Sequence, residues 1–272
     1  MGGAALFGIP ESAAQAAGGC GDSISAPHQI GAFFDLDGTL LPVPSLEWRF
    51  IAWLAAGDEI DGGHVGRWLG HFARNIWRDP YAATFENKRY LSGLRESLAA
   101  DWERSLDVDS LRFARLGVER VAWHQAQGHR VFLVTGTLGP LAAAAARLLP
   151  RQGPIEACAS ELEVRNGRWT GRLSREHVRG EAKARAVREL AERHALDLAA
   201  SYAYGNCLAD LPMLEAVGHA VAVNPEVGLE RIACAEDEIA NGGGPQRDWR
   251  VCVWKTPEPA RTRQLVSARE PR

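Results

Sequence analysis

The sequence predicts an α/β fold: a Rossmann-like, doubly wound parallel sheet with an inserted α-helical cap and a small β-hairpin. Three observations carry this expectation. Apolar runs of about four residues alternate with stretches of helical spacing, as in a parallel sheet covered by helices on both faces. A Trp- and Arg-rich segment after the first run has helical spacing and no strand signal. Asn166-Gly167, a strong hairpin signal, separates two strand-like segments.

The elements follow in order. Residues 1–29 are rich in Ala, Gly and Ser and are expected to form a loose tail. Ala32-Phe33-Phe34 reads as the first strand. The helical insert covers residues 46–102, with Trp48, Ile51, Ala52 and Leu54, then Val65, Trp68, Leu69 and Phe72, at helical spacing. Its tryptophans are expected mostly to pack the insert onto the sheet, with a stacking surface as the other reading. A helix ending at Gly128 leads into the strand Val131-Phe132-Leu133-Val134, and an Ala-rich helix spans 138–149. Segments 161–164 and 168–173 form the hairpin. A helix around Lys183 precedes Tyr202-Ala203-Tyr204. A helix near 211–217 precedes Ala220-Val221-Ala222-Val223, and Val251-Cys252-Val253 closes the series. The core is therefore assigned to residues 30–45 and 103–255, and 256–272 to a second loose tail.

At 272 residues, with 46% apolar and 24% charged residues, the chain can bury a core without disulfides. A net charge of −3 does not point to a nucleic-acid partner. No apolar run approaches the ~20 residues of a membrane span. Five scattered cysteines without a C-x-x-C pair read as reduced, mostly buried thiols. With no secretory pattern at the start, a cytoplasmic location is expected.

Four strings carry chemistry. In Phe33-Phe34-Asp35-Leu36-Asp37-Gly38-Thr39-Leu40, two carboxylates two apart stand at the end of an extended segment, where open α/β sheets place their ligands. Like charges this close need a reason. A divalent cation supplies one, and magnesium suits carboxylates, waters and phosphate. Two solvated capping aspartates are the alternative. In Val134-Thr135-Gly136-Thr137, a hydroxyl and exposed amides before a helix could cradle phosphate, or simply cap the helix. Lys183 is one of three lysines among 31 basic residues, a compact charge able to reach a phosphate, or a solvated one. In Tyr204-Gly205-Asn206-Cys207-Leu208-Ala209-Asp210, the oxygens of Asn206 and Asp210 could complete a cation site or start a helix.

These strings, in this order, resemble the haloacid dehalogenase superfamily of phosphohydrolases, and within it the branch around phosphoserine phosphatase. Leu41-Pro42 to Arg49, Asn87-Lys88-Arg89-Tyr90-Leu91, Thr170-Gly171-Arg172 and Val223-Asn224-Pro225 add to the likeness. The resemblance implies roles. Asp35 matches a nucleophile that forms an aspartyl-phosphate, and Asp37 a general acid and base. Thr135, the Gly136 amide and Lys183 match phosphate binders. Asp35, the Asp37 carbonyl, Asn206 and Asp210 match the ligands of Mg2+. The family usually has Asp at position 206 and often Ser at 207, so weaker magnesium binding is expected here.

The implied function is a magnesium-dependent phosphatase acting on a small phosphorylated metabolite, with no nucleic-acid or membrane partner. The alternatives are a phosphotransferase of the same fold and a catalytically weakened phosphate-binding or scaffold protein. Glu47, Arg49, Arg89 and Arg95 are candidates for reading the substrate, each with a solvated face as its plain alternative. The sequence leaves the oligomeric state open.

Overall fold

The computed structural model describes residues 29–80, 82–107, 109–241 and 248–254. The expected tails, 1–29 and 256–272, lie outside these residues apart from Gln29.

Strand β1 (Gly31–Phe34) is central in a six-stranded, all-parallel sheet. On one side it pairs with β2 (Arg130–Leu138), followed by β3 (Ile155–Ser160). On the other it pairs with β6 (Tyr202–Gly205), followed by β7 (His219–Val223) and β8 (Asp248–Cys252). The strand order thus changes direction at β1, and its carboxyl end is a switch point where such sheets bind ligands.

All four β1 residues are buried, as expected of a strand covered on both faces. Alternation divides them. Phe34 stacks on Tyr204 of β6 with centroids 4.3 Å apart, on the face covered by α4 (Arg115–Ala126) and α5 (Gly139–Leu148). Phe33 stacks on Phe132 of β2 at 5.1 Å, on the face covered by α6 (Glu181–His194), α7 (Leu211–Leu214) and α8 (Val227–Asn241).

Between β1 and α4 the described residues form helical segments: α1 (Leu46–Ala56), α2 (Gly62–Asn75), a π turn (Ala82–Glu86), a 3-10 turn (Arg89–Leu91) and α3 (Leu98–Ser105). Ser45 caps α1 by accepting from the Trp48 amide, and Leu46, Phe50 and Leu54 form its buried stripe. Phe50 packs edge-on against Trp102 of α3 and against Trp169. Trp169 belongs to the hairpin of β4 (Leu162–Arg165) and β5 (Arg168–Leu173). That hairpin braces the insert through reciprocal backbone bonds, Gly93 to Trp169 and Trp169 to Leu94.

The structure departs from the expected elements in four places. β3 reads weakly as a strand because it lies at a sheet edge, mostly half-buried, and includes Glu156 and Ser160. β2 runs past Val134 to Leu138, with a register shift between Thr135 and Leu138, so the second string lies in a bulged strand end rather than at the helix junction. α7 stops at Leu214, and β8 ends at Cys252. Nor are the described cysteines mostly buried: Cys158 and Cys252 are half-buried in the edge strands β3 and β8, Cys207 is half-buried just beyond β6, and Cys234 is on an exposed position of α8, while Cys20 lies outside the described residues.

His124 of α4 is fully buried, meeting the Tyr204 hydroxyl through Nε2 at 2.8 Å and His129 Nδ1 through Nδ1 at 2.8 Å. Burial pushes its pKa down from 6.5 to about 2. The unfolded chain therefore takes up a proton below pH 6.5 that the folded chain refuses. Wild type is expected to lose stability relative to His124→Asn by about 1.4 kcal/mol per pH unit as pH falls from 6.5. Urea midpoints of both proteins across pH 5–8 check this.

Candidate active site

Asp35 is the first residue beyond β1, and its amide extends the ladder by donating to the Tyr204 carbonyl. Its side chain is buried. Lys183 Nζ donates to Asp35 Oδ1 at 2.5 Å and to Asp210 Oδ1 at 2.5 Å, and the Thr39 hydroxyl donates to Asp35 Oδ2 at 3.2 Å. Lys183 lies in the first turn of α6, whose start is tied to the loop after β6 by the Gly180 amide and the Ala209 carbonyl. Residues 148 positions apart are thereby brought into one buried ion cluster.

Asp37 joins two other elements. Its Oδ1 accepts from the Leu46 amide, the first of α1, at 2.7 Å, and its Oδ2 accepts from the Thr137 hydroxyl at 2.5 Å. Gly38 turns the chain with φ +88°, and a Cβ there would stand 2.4 Å from Asn206 Nδ2. Asn206 Oδ1 in turn faces the Thr39 hydroxyl at 3.4 Å. Thr135 is buried and its hydroxyl accepts from the Thr137 amide; the Gly136 carbonyl meets His177 Nε2.

The electrostatics follow from burial. Asp35 is pushed up to about 7, because burial outweighs the favourable charge of Lys183. Burial also raises Asp37, against the pull of its Thr137 and Leu46 hydrogen bonds. For Lys183, burial disfavours the charge, but Asp210 and Asp35 outweigh it and hold the ammonium above its ordinary range. Asp210 is fully buried, yet Lys183 and the backbone amides of Cys207 and Asn206 bring it below its usual range.

Asp35, Asp37, Thr135, Gly136, Lys183 and Asp210 all line one cavity of about 540 Å3, roofed by α1, α2 and the π turn. Asn206 adjoins them through Thr39. Asp210 Oδ1 meets Lys183 and its Oδ2 accepts from the Asn206 and Cys207 amides, so it ties the lysine to the loop after β6. Of the candidate substrate readers, only Glu47 lines the cavity. Arg49 is occupied by the carbonyls of Pro42, Pro44 and Leu111, Arg89 reaches the Thr170 carbonyl, and Arg95 lies 3.8 Å from Glu59.

The family model for haloacid dehalogenase-like hydrolases matches residues 32–215, which contain all of these groups. The chain belongs to the haloacid dehalogenase-like hydrolase family. It is 35% identical over 156 residues to a probable phosphatase of Mycobacterium tuberculosis, covering 57% of this chain and 49% of that protein. The chain thus spans about half the length of that relative. A phosphoserine phosphatase of Halobacterium salinarum is 30% identical over 200 residues, covering 72% of this chain and 87% of that one. A solved structure of a protein of unknown function from Bordetella pertussis superposes with a TM-score of 0.65 at 28% identity, covering 83% of this chain and 98% of the other.

The donor set fits a hard divalent cation in type. Asp35 Oδ2 and Asn206 Oδ1 both face the Thr39 hydroxyl, at 3.2 and 3.4 Å. The bridge between residues 37 and 41 uses the Leu36 carbonyl and the Gly38 amide, which leaves the Asp37 carbonyl out of that exchange. A carboxylate, a carbonyl and an amide oxygen suit magnesium with waters and phosphate, at one charge fewer than two carboxylates would give. Among the described residues no group of three or more His, Cys, Asp or Glu side chains is gathered for a metal.

Thr39 and Thr137 stood within the sequence strings without an assigned role; their contacts to Asp35 and Asp37 give them one. The link from Glu47 to Lys88 and Tyr90, across 41 and 43 positions, had no local signal beyond a lysine in an arginine-rich chain.

Proposed function

We propose that the chain is a magnesium-dependent phosphatase that hydrolyses a small phosphomonoester through an aspartyl-phosphate on Asp35, in the cytoplasm, with residues 46–102 as its cap. The observation that carries this reading is the pairing at the cavity floor. One buried carboxylate is held by an ammonium, and a second is held by a helix amide and a threonine hydroxyl.

A carboxylate nucleophile splits one displacement into two. A carboxylate oxygen of Asp35 attacks phosphorus, and the bond to the leaving oxygen breaks. Asp37, raised by burial and so able to carry a proton, gives it to that oxygen. Asp37 then takes a proton from water, which attacks the acyl phosphate, frees inorganic phosphate and restores Asp35. Lys183 offsets the charge of nucleophile and phosphoryl group, and Thr135 and the Gly136 amide hold its oxygens. Asp35, the Asp37 carbonyl and Asn206 would hold magnesium, which would supply positive charge against the phosphoryl oxygens. Asp210 positions Lys183.

Phosphate release from a panel of phosphomonoesters, with magnesium and with EDTA, tests the reading. Magnesium-dependent release supports it. Transfer to an added alcohol in place of release would favour the phosphotransferase, and no turnover of any ester would favour a phosphate-binding protein.

Two predictions arise here. Asn206→Asp restores a carboxylate among the cation ligands and is expected to lower the magnesium needed for half-maximal activity by about tenfold. Magnesium titrations of both proteins at fixed ester check it; an unmoved curve removes residue 206 from the ligand set. Asp37→Asn is expected to slow alkyl phosphates by about 10²–10⁴-fold. It should spare formation of the phosphoenzyme from p-nitrophenyl phosphate, whose leaving group needs little protonation. Rapid-quench labelling separates the two steps.

A further inference from the structure

The cap side of the cavity differs in character from its floor. Trp48, Ile51, Ile60, Val65 and Trp68 line it. Trp68 is stacked on Phe72 with centroids 5.4 Å apart, and its backbone carbonyl accepts from the Asn87 side-chain amide. Trp48 is 65% exposed and Val65 48% exposed, both on cavity-lining positions. Apolar surface of this kind gains from being covered, and it continues directly from Asp35 and Asp37.

The charged groups of the same wall satisfy one another. Both oxygens of Glu47 accept from Lys88 Nζ, at 2.8 and 2.7 Å, and the Tyr90 hydroxyl donates to the same carboxylate. The Glu47 and Lys88 side chains are 16% and 8% exposed. Burial and the Glu47 charge hold the Tyr90 hydroxyl well above its ordinary range, so it stays protonated. The trio sums to no net charge. A substrate ammonium would have to displace Lys88 from Glu47, and a substrate carboxylate would have to displace Glu47 from Lys88, each leaving a buried ion without its partner. Among the described residues lining this side of the cavity, Arg179 is a further cation, and its guanidinium lies over the Phe85 ring at 4.5 Å.

We propose that the cap selects a phosphomonoester of an uncharged, apolar alcohol, aromatic or alkyl, rather than of an amino acid. This rests on the phosphatase reading above. The leaving group lies against Trp48, Ile51, Val65 and Trp68, while the phosphate sits on the floor. The closed Glu47–Lys88–Tyr90 cluster is the specificity device: it excludes zwitterions by offering them no unpaired counter-charge.

The test compares phosphate release from four esters of primary alcohols, so that leaving-group chemistry is similar: methyl phosphate, O-phosphoserine, naphthylmethyl phosphate and decyl phosphate. The expected kcat/KM for naphthylmethyl or decyl phosphate exceeds that for phosphoserine and for methyl phosphate by about tenfold or more, carried in KM. The two apolar esters separate an aromatic from an alkyl preference. In Trp68→Ala, and independently in the exposed-site variant Trp48→Ala, the ratio of apolar to methyl ester is expected to fall severalfold. Phosphoserine turned over as well as the apolar esters would overturn the inference while leaving the phosphatase reading intact. An apolar preference unmoved by both tryptophan variants would overturn the assigned wall. No release from any of the four would overturn the phosphatase reading itself.

Discussion

Asp35→Asn is expected to abolish phosphate release, by about ten-thousandfold or more, while the protein folds normally. The amide cannot attack phosphorus, and the other two carboxylates are tied to backbone: Asp210 Oδ2 accepts from the Asn206 and Cys207 amides and Asp37 Oδ1 from the Leu46 amide, whereas both partners of Asp35 are side chains, Lys183 and Thr39. Stability should move the other way. Folding raises Asp35 from 3.8 to about 7, so the folded state holds its proton more tightly than the unfolded chain. Stability from this group is complete at low pH, falls as pH rises from 3.8 to about 7, and stays lowered above that. At pH 8 without metal, wild type carries the full penalty and the neutral amide does not. Asp35→Asn should therefore melt above wild type in EDTA at pH 8, with the gap narrowing toward pH 4. Thermal melts at both pH values check it. Equal release by the variant would remove Asp35 as nucleophile, and a lower melt at pH 8 would contradict the electrostatic account.

Lys183→Met is expected to cost both function and fold. The ammonium is shared by Asp35 and Asp210, with the lysine side chain 4% and that of Asp210 0% exposed. Removing it leaves two buried carboxylates facing each other, a loss of about 3–5 kcal/mol at neutral pH. The pH dependence carries the sign. In wild type Asp210 lies below 3.8, so its stabilisation is present above that pH and lost below it. In the variant only the Cys207 and Asn206 amides oppose burial, the carboxyl rises from its wild-type position, and the protein weakens as pH rises. Urea midpoints should differ widely at pH 8 and draw together toward pH 4, and release should fall with the loss of charge compensation. A variant as stable and active as wild type would show that the lysine is not the keystone of the cluster.

Three of the four site strings were legible because each follows an apolar strand, and parallel strands in a doubly wound sheet end on the same edge. Asp35, Thr135 and Asn206 follow β1, Val134 of β2, and β6 for that reason. Lys183 was legible as a rarity in an arginine-rich chain, though its partners 148 and 27 positions away were not. β3 escaped because an edge strand needs only half an apolar face, and its glutamate breaks the run. The bulged end of β2 escaped because Thr-Gly-Thr reads equally as a helix cap. The cap wall was least legible. Helical spacing shows that Trp48 and Trp68 share a helix face with apolar neighbours, but only the fold decides whether that face meets protein or cavity. Trp102 meets the core, while Trp77 is 92% exposed. The closure of Glu47 by Lys88 and Tyr90 depends on the turn at Arg89–Leu91 returning toward α1, which no local pattern records.

Trapping a covalent phosphoryl group on Asp35 distinguishes the two-step mechanism from direct attack by water. Wild type should be mixed with p-nitrophenyl phosphate and magnesium, quenched in acid within milliseconds, digested and sequenced by mass spectrometry. The expected product is a phosphorylated peptide containing residues 31–41, with the label on Asp35, lost on treatment with hydroxylamine and absent from Asp35→Asn. A label on any other residue, or steady phosphate release with no labelled peptide at any quench time, would contradict it.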